Sequence, residues 1–94
     1  MDQHVIIRAV NAGVFAGILV RRDGSEVELR DARRIWRWDG AASLSQLAVE
    51  GTCRPEKCKF PVAVPRLTVL EVIEVIPTTE RARASIEAVP VWSA

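Results

Sequence analysis

A β-hairpin is the feature of this sequence that most restricts its fold. Two β-rich segments, residues 14–22 and 25–30, flank the pair Asp23-Gly24, and Asp-Gly in this position is typical of a two-residue type I′ turn. In the second segment apolar and charged residues alternate strictly. This alternation predicts that Val27 and Leu29 face a core while the charged residues between them face water. The chain is therefore expected to contain an antiparallel sheet with one solvated side.

Three further segments are predicted to be strands because they are rich in β-branched and aromatic residues: 5–10, 33–38 and 67–76. The last of these is the longest and is expected to lie at the centre of the sheet. Gly17, in the middle of the second strand, predicts a bulge or a sharp bend.

Two short helices are predicted from their capping residues. Ser43 and Gln46 fit a capping box at the start of a helix over residues 43–50, and Gly51 is expected to end it. A second helix opens after Pro77 with threonine at the cap. Together these elements predict the α+β class, mainly β: a small, strongly bent antiparallel sheet, or an open barrel of the SH3 or Sm type, with two short helices.

The composition limits both the organisation and the partners of the chain. At 94 residues it is expected to form a single domain over residues 1–94. Its net charge of +1 excludes the global positive field that drives non-specific nucleic-acid binding. No apolar stretch approaches the roughly 18 residues that a membrane-spanning helix needs, and the start of the chain has no basic, apolar leader. We therefore expect a cytoplasmic protein without a membrane partner.

Residues 31–46 contain the candidate binding site. This segment holds three arginines and two of the three tryptophans, directly ahead of the predicted helix start. Planar rings and guanidinium groups suit bases and phosphates, and a helix start attracts anions. If residues 33–38 form a strand, both tryptophans point to the same face. The candidate ligand-binding residues are Arg33, Arg34, Trp36, Arg37, Trp38, Ser43, Ser45 and Gln46. The alternative is that the tryptophans are core or subunit-contact residues and the arginines form a solvated face.

Groups suited to catalysis or to metal binding are scarce in the sequence. His4 is the only histidine, and no nucleophile elbow, P-loop or dinucleotide-binding motif is present. Cys53 and Cys58 are the only cysteines, whereas a closed zinc site needs four ligands. We therefore expect no enzyme activity, no catalytic residue, no metal and no cofactor, and two free thiols instead of a disulfide.

Two resemblances to known families add to this interpretation. Gly17, Asp23, Leu29 and Asp31 occur in the order found in the first motif of Sm-like proteins, which implies a barrel and a ring-shaped assembly. Nearly the whole chain is similar to a family of short, uncharacterised proteins of phages and prophages. The segments that carry this second resemblance are residues 12–17, 32–36, 40–48, 58–60, 71–77 and 85–89, with Trp92. It implies a small viral protein made inside a bacterium, and such proteins often block host defences by binding.

These observations favour a non-enzymatic, oligomeric binding protein that sequesters a small (cyclic) nucleotide signal in the host cytoplasm. A tryptophan would stack on the base, the arginines would neutralise phosphate, and the helix start at Ser43 would hold a phosphate. The alternatives are a protein inhibitor or adaptor of a host factor, with the same residues as interface anchors, and an Sm-like nucleic-acid-binding ring. A dimer or a ring is expected in each case.

Overall fold

The computed structural model describes residues 3–93, in which one five-stranded antiparallel sheet carries two α-helices. The strands and helices, in chain order, are β1 His4–Ala9, β2 Gly13–Asp23, β3 Glu26–Arg34, α1 Leu44–Glu50, β4 Val64–Val69, β5 Val72–Pro77 and α2 Glu80–Glu87. A single 3₁₀ turn, Pro55–Lys57, lies in the segment between α1 and β4. The prediction of an α+β, mainly β protein with two short helices is confirmed.

The predicted hairpin is present as β2 and β3, and its turn is shifted by one residue. Asp23 pairs with Glu26, so the turn consists of Gly24 and Ser25. Of these two residues only Gly24 has a positive φ, of 60°, which is the requirement at the first position of a type II′ turn and differs from the predicted type I′. The expected irregularity at Gly17 is also present, because the β2–β3 register shifts between Ala16 and Ile18.

The order of the strands, β4-β3-β2-β1-β5, requires a strongly curled sheet. β4 and β5 lie at opposite edges, and yet only Leu70 and Glu71 separate them in the chain. The sheet must therefore bend until its two edges approach each other at this turn. The prediction of one central strand over residues 67–76 is wrong, because Glu71 takes a left-handed φ of 57° and breaks the segment. The parts of this segment in β4 and in β5 are both rich in apolar residues because each of these edge strands contributes to the core.

Each face of the sheet contributes to its own apolar cluster, while the charged residues of β3 and β4 other than Arg33 remain exposed or partly buried. The first cluster lies on one face of the bent sheet and consists of Val5, Ile7, Ala9, Phe15, Val27, Leu29, Ala32, Val69 and Val72. The second lies on the opposite face, beneath the helices, and consists of Ile6, Ala16, Ile35, Leu47, Ala48, Cys58, Phe60, Ile86 and Val89. The alternation of these residues along β1 and β2 explains why those strands read as nearly continuous apolar runs.

The predicted fourth strand over residues 33–38 is not formed as such. Arg33 and Arg34 are the last residues of β3, and beyond them the backbone makes only an isolated bridge between Arg37 and Lys59. The chain leaves the sheet at this point and crosses to the segment that precedes β4. Among residues 3–93, none of the helices is long and apolar enough to cross a membrane.

His4 lies in β1, an interior strand of the sheet, and its side chain is buried. Its Nδ1 lies 2.6 Å from Oγ1 of Thr78. Burial lowers the pKa of His4, Arg83 lowers it further, and Glu87 on the same helix opposes both effects. The folded protein therefore holds this imidazole in its neutral form.

We expect the stability of the fold to decline as the pH falls below about 6.5, the ordinary pKa of histidine. In that range the unfolded chain binds a proton at His4 that the folded chain binds only at lower pH, so acid favours unfolding. Stability from this group is fully present above about pH 6.5. Thermal unfolding between pH 7.5 and 5.5 measures the effect, with His4→Gln as the control. A variant with the same pH dependence as the parent contradicts the assignment.

Candidate functional site

Arg33, the first arginine of the predicted site, is buried inside the protein and has a structural role. Its guanidinium donates hydrogen bonds to five backbone carbonyls, those of Phe60, Pro61, Ile86, Val89 and Pro90, over 2.7–3.4 Å. The guanidinium carbon also lies 5.4 Å from the ring centroid of Phe60, and burial lowers the pKa of Arg33. Because a guanidinium has five N–H donors, none remains for a phosphate. The prediction that Arg33 binds a ligand is corrected accordingly.

Arg34 points to the opposite side of the sheet and remains exposed. Its guanidinium carbon lies 4.4 Å from the ring centroid of Phe15, its cross-strand neighbour. One Nη1 donates to the carbonyl of Ala12 at 2.7 Å. Arg34 therefore belongs to a surface at the β1–β2 turn, and no hydrogen bond or ring contact joins it to Trp36 within residues 3–93.

The structure brings Trp36 together with two residues that are distant in sequence. Its ring stacks on that of Trp92, with centroids 5.1 Å apart and an interplanar angle of 17°. The Nζ of Lys59 lies 5.2 Å from the centroid of Trp36 and 5.3 Å from that of Trp92. These distances are within the range of cation–π attraction. We refer to Trp36, Lys59 and Trp92, with the neighbouring Arg37, as the tryptophan surface.

Backbone hydrogen bonds fix the three chain segments of the tryptophan surface. The amide of Trp36 donates to the carbonyl of Lys59 at 3.1 Å, and the amide of Trp92 donates to that of Phe60 at 3.1 Å. Lys59 in turn donates to the carbonyl of Arg37 at 2.7 Å. The segment around Lys59 therefore lies between the other two and sets their spacing.

The tryptophans of this surface are unusually accessible. Trp36 is 58% exposed and Trp92 is 42% exposed, although tryptophan is normally among the most buried side chains of a protein. Trp36 is therefore not a core residue, which removes one of the two structural alternatives considered for it. Ring stacking and a backbone hydrogen bond hold Trp92 against the rest of the described chain.

Trp38 does not share the face of Trp36, contrary to the expectation from strand alternation. Its ring packs against the second apolar cluster, and its Nε1 donates to the carbonyl of Ala41 at 3.2 Å. The alternation fails because β3 ends at Arg34, so that residues 35–38 are not extended strand. Trp38 thus supports the loop that leads to α1.

The predicted N-cap of α1 at Ser43 is confirmed, and it engages the amide of Gln46, one of the amides that an anion at this helix start would contact. The amide of Gln46 donates to Oγ of Ser43 at 3.2 Å, and Oε1 of Gln46 accepts from the amide of Ala42 at 2.7 Å. Ser45 is exposed on the outer side of this seven-residue helix. No hydrogen bond or ring contact joins Ser43, Ser45 or Gln46 to the tryptophan surface within the described chain. The three residues are therefore placed apart from Trp36.

Both cysteines have free thiols, Cys53 exposed and Cys58 buried. The amide of Asp39 donates to Sγ of Cys58 at 3.4 Å, and Sγ of Cys53 lies 3.5 Å from the carbonyl of Gly40. Both thiols thus contact the loop that precedes α1. Within residues 3–93 no group of three or more His, Cys, Asp or Glu side chains is arranged to hold a metal ion.

Trp36 and Arg37 were among the predicted ligand-binding residues and both are exposed, although strand alternation had assigned them to opposite faces, whereas Lys59 and Trp92 were missed. Lys59 directly follows Cys58 in a segment without periodicity, and Trp92 lies 56 residues beyond Trp36. No local pattern connects such positions.

Comparison with known families identifies the chain as a member of one without an assigned role. The family, described as a domain of unknown function (DUF6948), matches residues 2–86. The chain therefore belongs to this family. No curated protein and no solved structure shows a significant match.

Proposed function

We propose that this member of the DUF6948 family is a non-enzymatic binding protein that captures a nucleotide on its tryptophan surface. The observation that carries the proposal is the stacked, accessible pair Trp36 and Trp92 with the Lys59 ammonium held beside both rings. Aromatic faces accept any base by stacking, which contributes about 1–3 kcal/mol per base. A neighbouring cation neutralises the phosphate.

The charges around the tryptophan surface suit a phosphate. Arg37 is exposed and makes no ion pair with the rest of the described chain. Its backbone pairs with that of Lys59, which places two cationic residues side by side on adjacent chain segments. In this proposal Arg37 and Lys59 neutralise the phosphate, which is the role that the sequence assigned to Arg33, Arg34 and the helix start. This arrangement favours a compact nucleotide with its base on a tryptophan and its phosphate beside the two cations.

The biological setting of the proposal rests on the resemblance to phage and prophage proteins. We propose that the protein is a counter-defence factor that sequesters a small, cyclic or linear, nucleotide signal in the cytoplasm of the host bacterium. We also propose a homo-oligomer, a dimer or a ring, because the curled sheet leaves two edge strands, β4 and β5. The strand order and the curl support an open barrel of the SH3 or Sm type.

A protein partner is the second candidate, and two exposed valines favour it. Val91 is 56% exposed and adjoins Trp92, and Val62 is 65% exposed and follows Phe60, which pairs with Val91. Tryptophan framed by exposed apolar residues is typical of interface hot spots. An inhibitor or adaptor of a host factor would use the same tryptophan surface with these valines at its border.

Replacing Trp36 with alanine is expected to weaken nucleotide binding while the fold remains intact. Loss of one base stack of about 1–3 kcal/mol corresponds to an affinity lower by about 5- to 150-fold. Since the side chain is mostly exposed, the free energy of unfolding should fall only by about 0.5–1.5 kcal/mol, the value of an aromatic pair. Quenching of tryptophan fluorescence and thermal shift, measured with a panel of cyclic and linear nucleotides, report both quantities.

The two lysines of the chain provide a matched control for the charge. Lys59→Gln and Lys57→Gln change the net charge equally, and only Lys59 contacts the tryptophan rings. Nucleotide binding should weaken in the Lys59 variant alone. The difference in affinity between this variant and the parent should be larger at low salt, because salt screens the charge. The proposal fails if the parent protein binds no nucleotide of the panel, or if Trp36→Ala binds as the parent does. Light scattering of the same samples measures the oligomeric state.

A further inference from the structure

A pocket of about 370 Å³ opens on the side of the molecule that carries Arg34. It lies between the β1–β2 turn and the last residues of β4, where the two edges of the curled sheet approach each other. Its volume falls at the lower end of the range for small-molecule sites. The residues that give the pocket its chemistry are Phe15, Arg34, Leu67, Val69, Leu70 and Glu71.

Arg34 supplies a fixed cation at one wall of the pocket. The ring of Phe15 beneath the guanidinium and the carbonyl of Ala12 at 2.7 Å hold it in place. Only Nη1 has a hydrogen-bond partner among the described residues, so the N–H groups of Nε and Nη2 remain available to donate to a ligand. A guanidinium edge with two such donors matches the two oxygens of a carboxylate.

Glu71 supplies an anion at another wall. Its backbone carbonyl accepts from the amide of Val10 at 3.0 Å, and its Oε2 accepts from Nδ2 of Asn11 at 3.3 Å. Its φ of 57° is uncommon for a residue with a side chain. No ion pair joins Glu71 to Arg34 in the described chain, although both line the pocket. The two opposite charges therefore face the same space without neutralising each other.

The remaining wall is apolar. Leu70 is 61% exposed, Leu67 is half-buried, and Val69 forms part of the first apolar cluster. An apolar group placed here would remove about 25 cal/mol of unfavourable hydration for each Å² that it covers. The pocket thus combines one site for a carboxylate, one for an ammonium group and one for an apolar side chain.

We propose that this pocket binds a small zwitterion, an α-amino acid with an apolar side chain. Arg34 binds the carboxylate, Glu71 binds the ammonium group, and Leu67 and Leu70 cover the side chain. The proposal is independent of nucleotide capture because none of the residues of the tryptophan surface lines the pocket.

Binding of three related probes to the isotopically labelled protein tests the proposal by nuclear magnetic resonance. L-Leucine keeps both charges, leucinamide lacks the carboxylate, and N-acetylleucine lacks the ammonium group. Leucine is expected to shift the backbone amide signals of residues 67–71 and of Ala12, and each of the other two probes should bind at least about tenfold more weakly, as expected for one lost charged contact. Equal binding of all three probes, or no shift of these signals by millimolar leucine, overturns the proposal.

Two variants that each remove one charge assign the charged contacts. Arg34→Gln should remove the preference for leucine over leucinamide, and Glu71→Gln should remove the preference over N-acetylleucine. Arg81→Gln, an exposed arginine of α2, is the control and should bind as the parent does. Trp36→Ala should also keep leucine binding, so that loss of nucleotide capture and loss of this pocket are distinguishable. Unchanged preferences in both pocket variants contradict the assignment.

Discussion

Replacing Arg33 with alanine is expected to lower the free energy of unfolding by about 3–5 kcal/mol, because each buried polar group left without its partner costs about 1–3 kcal/mol. The substitution removes all five hydrogen bonds of the guanidinium and leaves five buried or half-buried carbonyls without this donor. It also removes the cation above Phe60. Equilibrium unfolding in urea measures the loss.

Lysine at position 33 should rescue little of this stability. An ammonium group has three donors on a single atom, whereas the guanidinium directs five donors outward from three nitrogens in one plane. Arg81→Ala is the matched control, because Arg81 is exposed and surface substitutions usually change stability by less than about 0.5 kcal/mol. If Arg33→Ala unfolds at the urea concentration of the parent, Arg33 does not anchor these segments.

The role of Arg33 also links the interior to the tryptophan surface. The carbonyls of Phe60 and Pro61 belong to the segment that carries Lys59, and those of Val89 and Pro90 precede Trp92. One buried guanidinium therefore holds together the two segments that meet at the surface. Arg33 therefore positions the segments of the tryptophan surface. The sequence had instead predicted that Arg33 contacts the ligand directly.

The features that were predictable from sequence are those that adjacent residues determine. Gly24 permits the hairpin turn, Ser43 caps α1, Gly51 ends it, and Thr79 caps α2. Each depends on backbone conformations or hydrogen bonds within about four residues. The irregularity at Gly17 was predictable from the glycine alone, although its physical reason is not local: a Cβ there would lie 3.1 Å from the backbone of Arg30 and Ala32 on the neighbouring strand.

The features that were not predictable depend on contacts between distant segments. The break at Leu70 and Glu71 has no signal of composition, since the residues on both sides are apolar and β-branched. The direction of Arg33 depends on carbonyls up to 57 residues away. The partner of Trp36 is likewise set by where the end of the chain docks. In each case tertiary packing decides between conformations that the local sequence allows equally.

Gly51→Ala is expected to be the second most damaging substitution among those considered. Gly51 has a φ of 79°, and a Cβ built on it would lie 2.4 Å from Cβ of Ser85 and 2.5 Å from its Oγ. The conformation alone costs a residue with a side chain about 1–2 kcal/mol, and overpacking costs about 1–3 kcal/mol more. We therefore expect the free energy of unfolding to fall by about 2–5 kcal/mol, again measured in urea.

Gly24→Ala separates the two contributions. Gly24 also has a left-handed φ, of 60°, and a Cβ there would meet nothing within 4 Å. Replacing Gly24 should therefore lower the free energy of unfolding only by the cost of the backbone conformation, about 1–2 kcal/mol. If both variants lose the same stability, close contact between Gly51 and α2 contributes nothing.

A double-mutant cycle with Ser85→Gly identifies the residue that causes the contact. Oγ of Ser85 accepts from the amide of Thr52 at 3.0 Å and donates to its carbonyl at 3.3 Å, so its removal is itself destabilising. In the Gly51→Ala background, however, the same removal also relieves the overlap. The double variant should then be more stable than the sum of the two single losses predicts, by about 0.5–3 kcal/mol as found for residues in contact. Additive losses of stability would show that Ser85 is not the residue that the new side chain overlaps, and that other parts of the α1–α2 junction move to accommodate it.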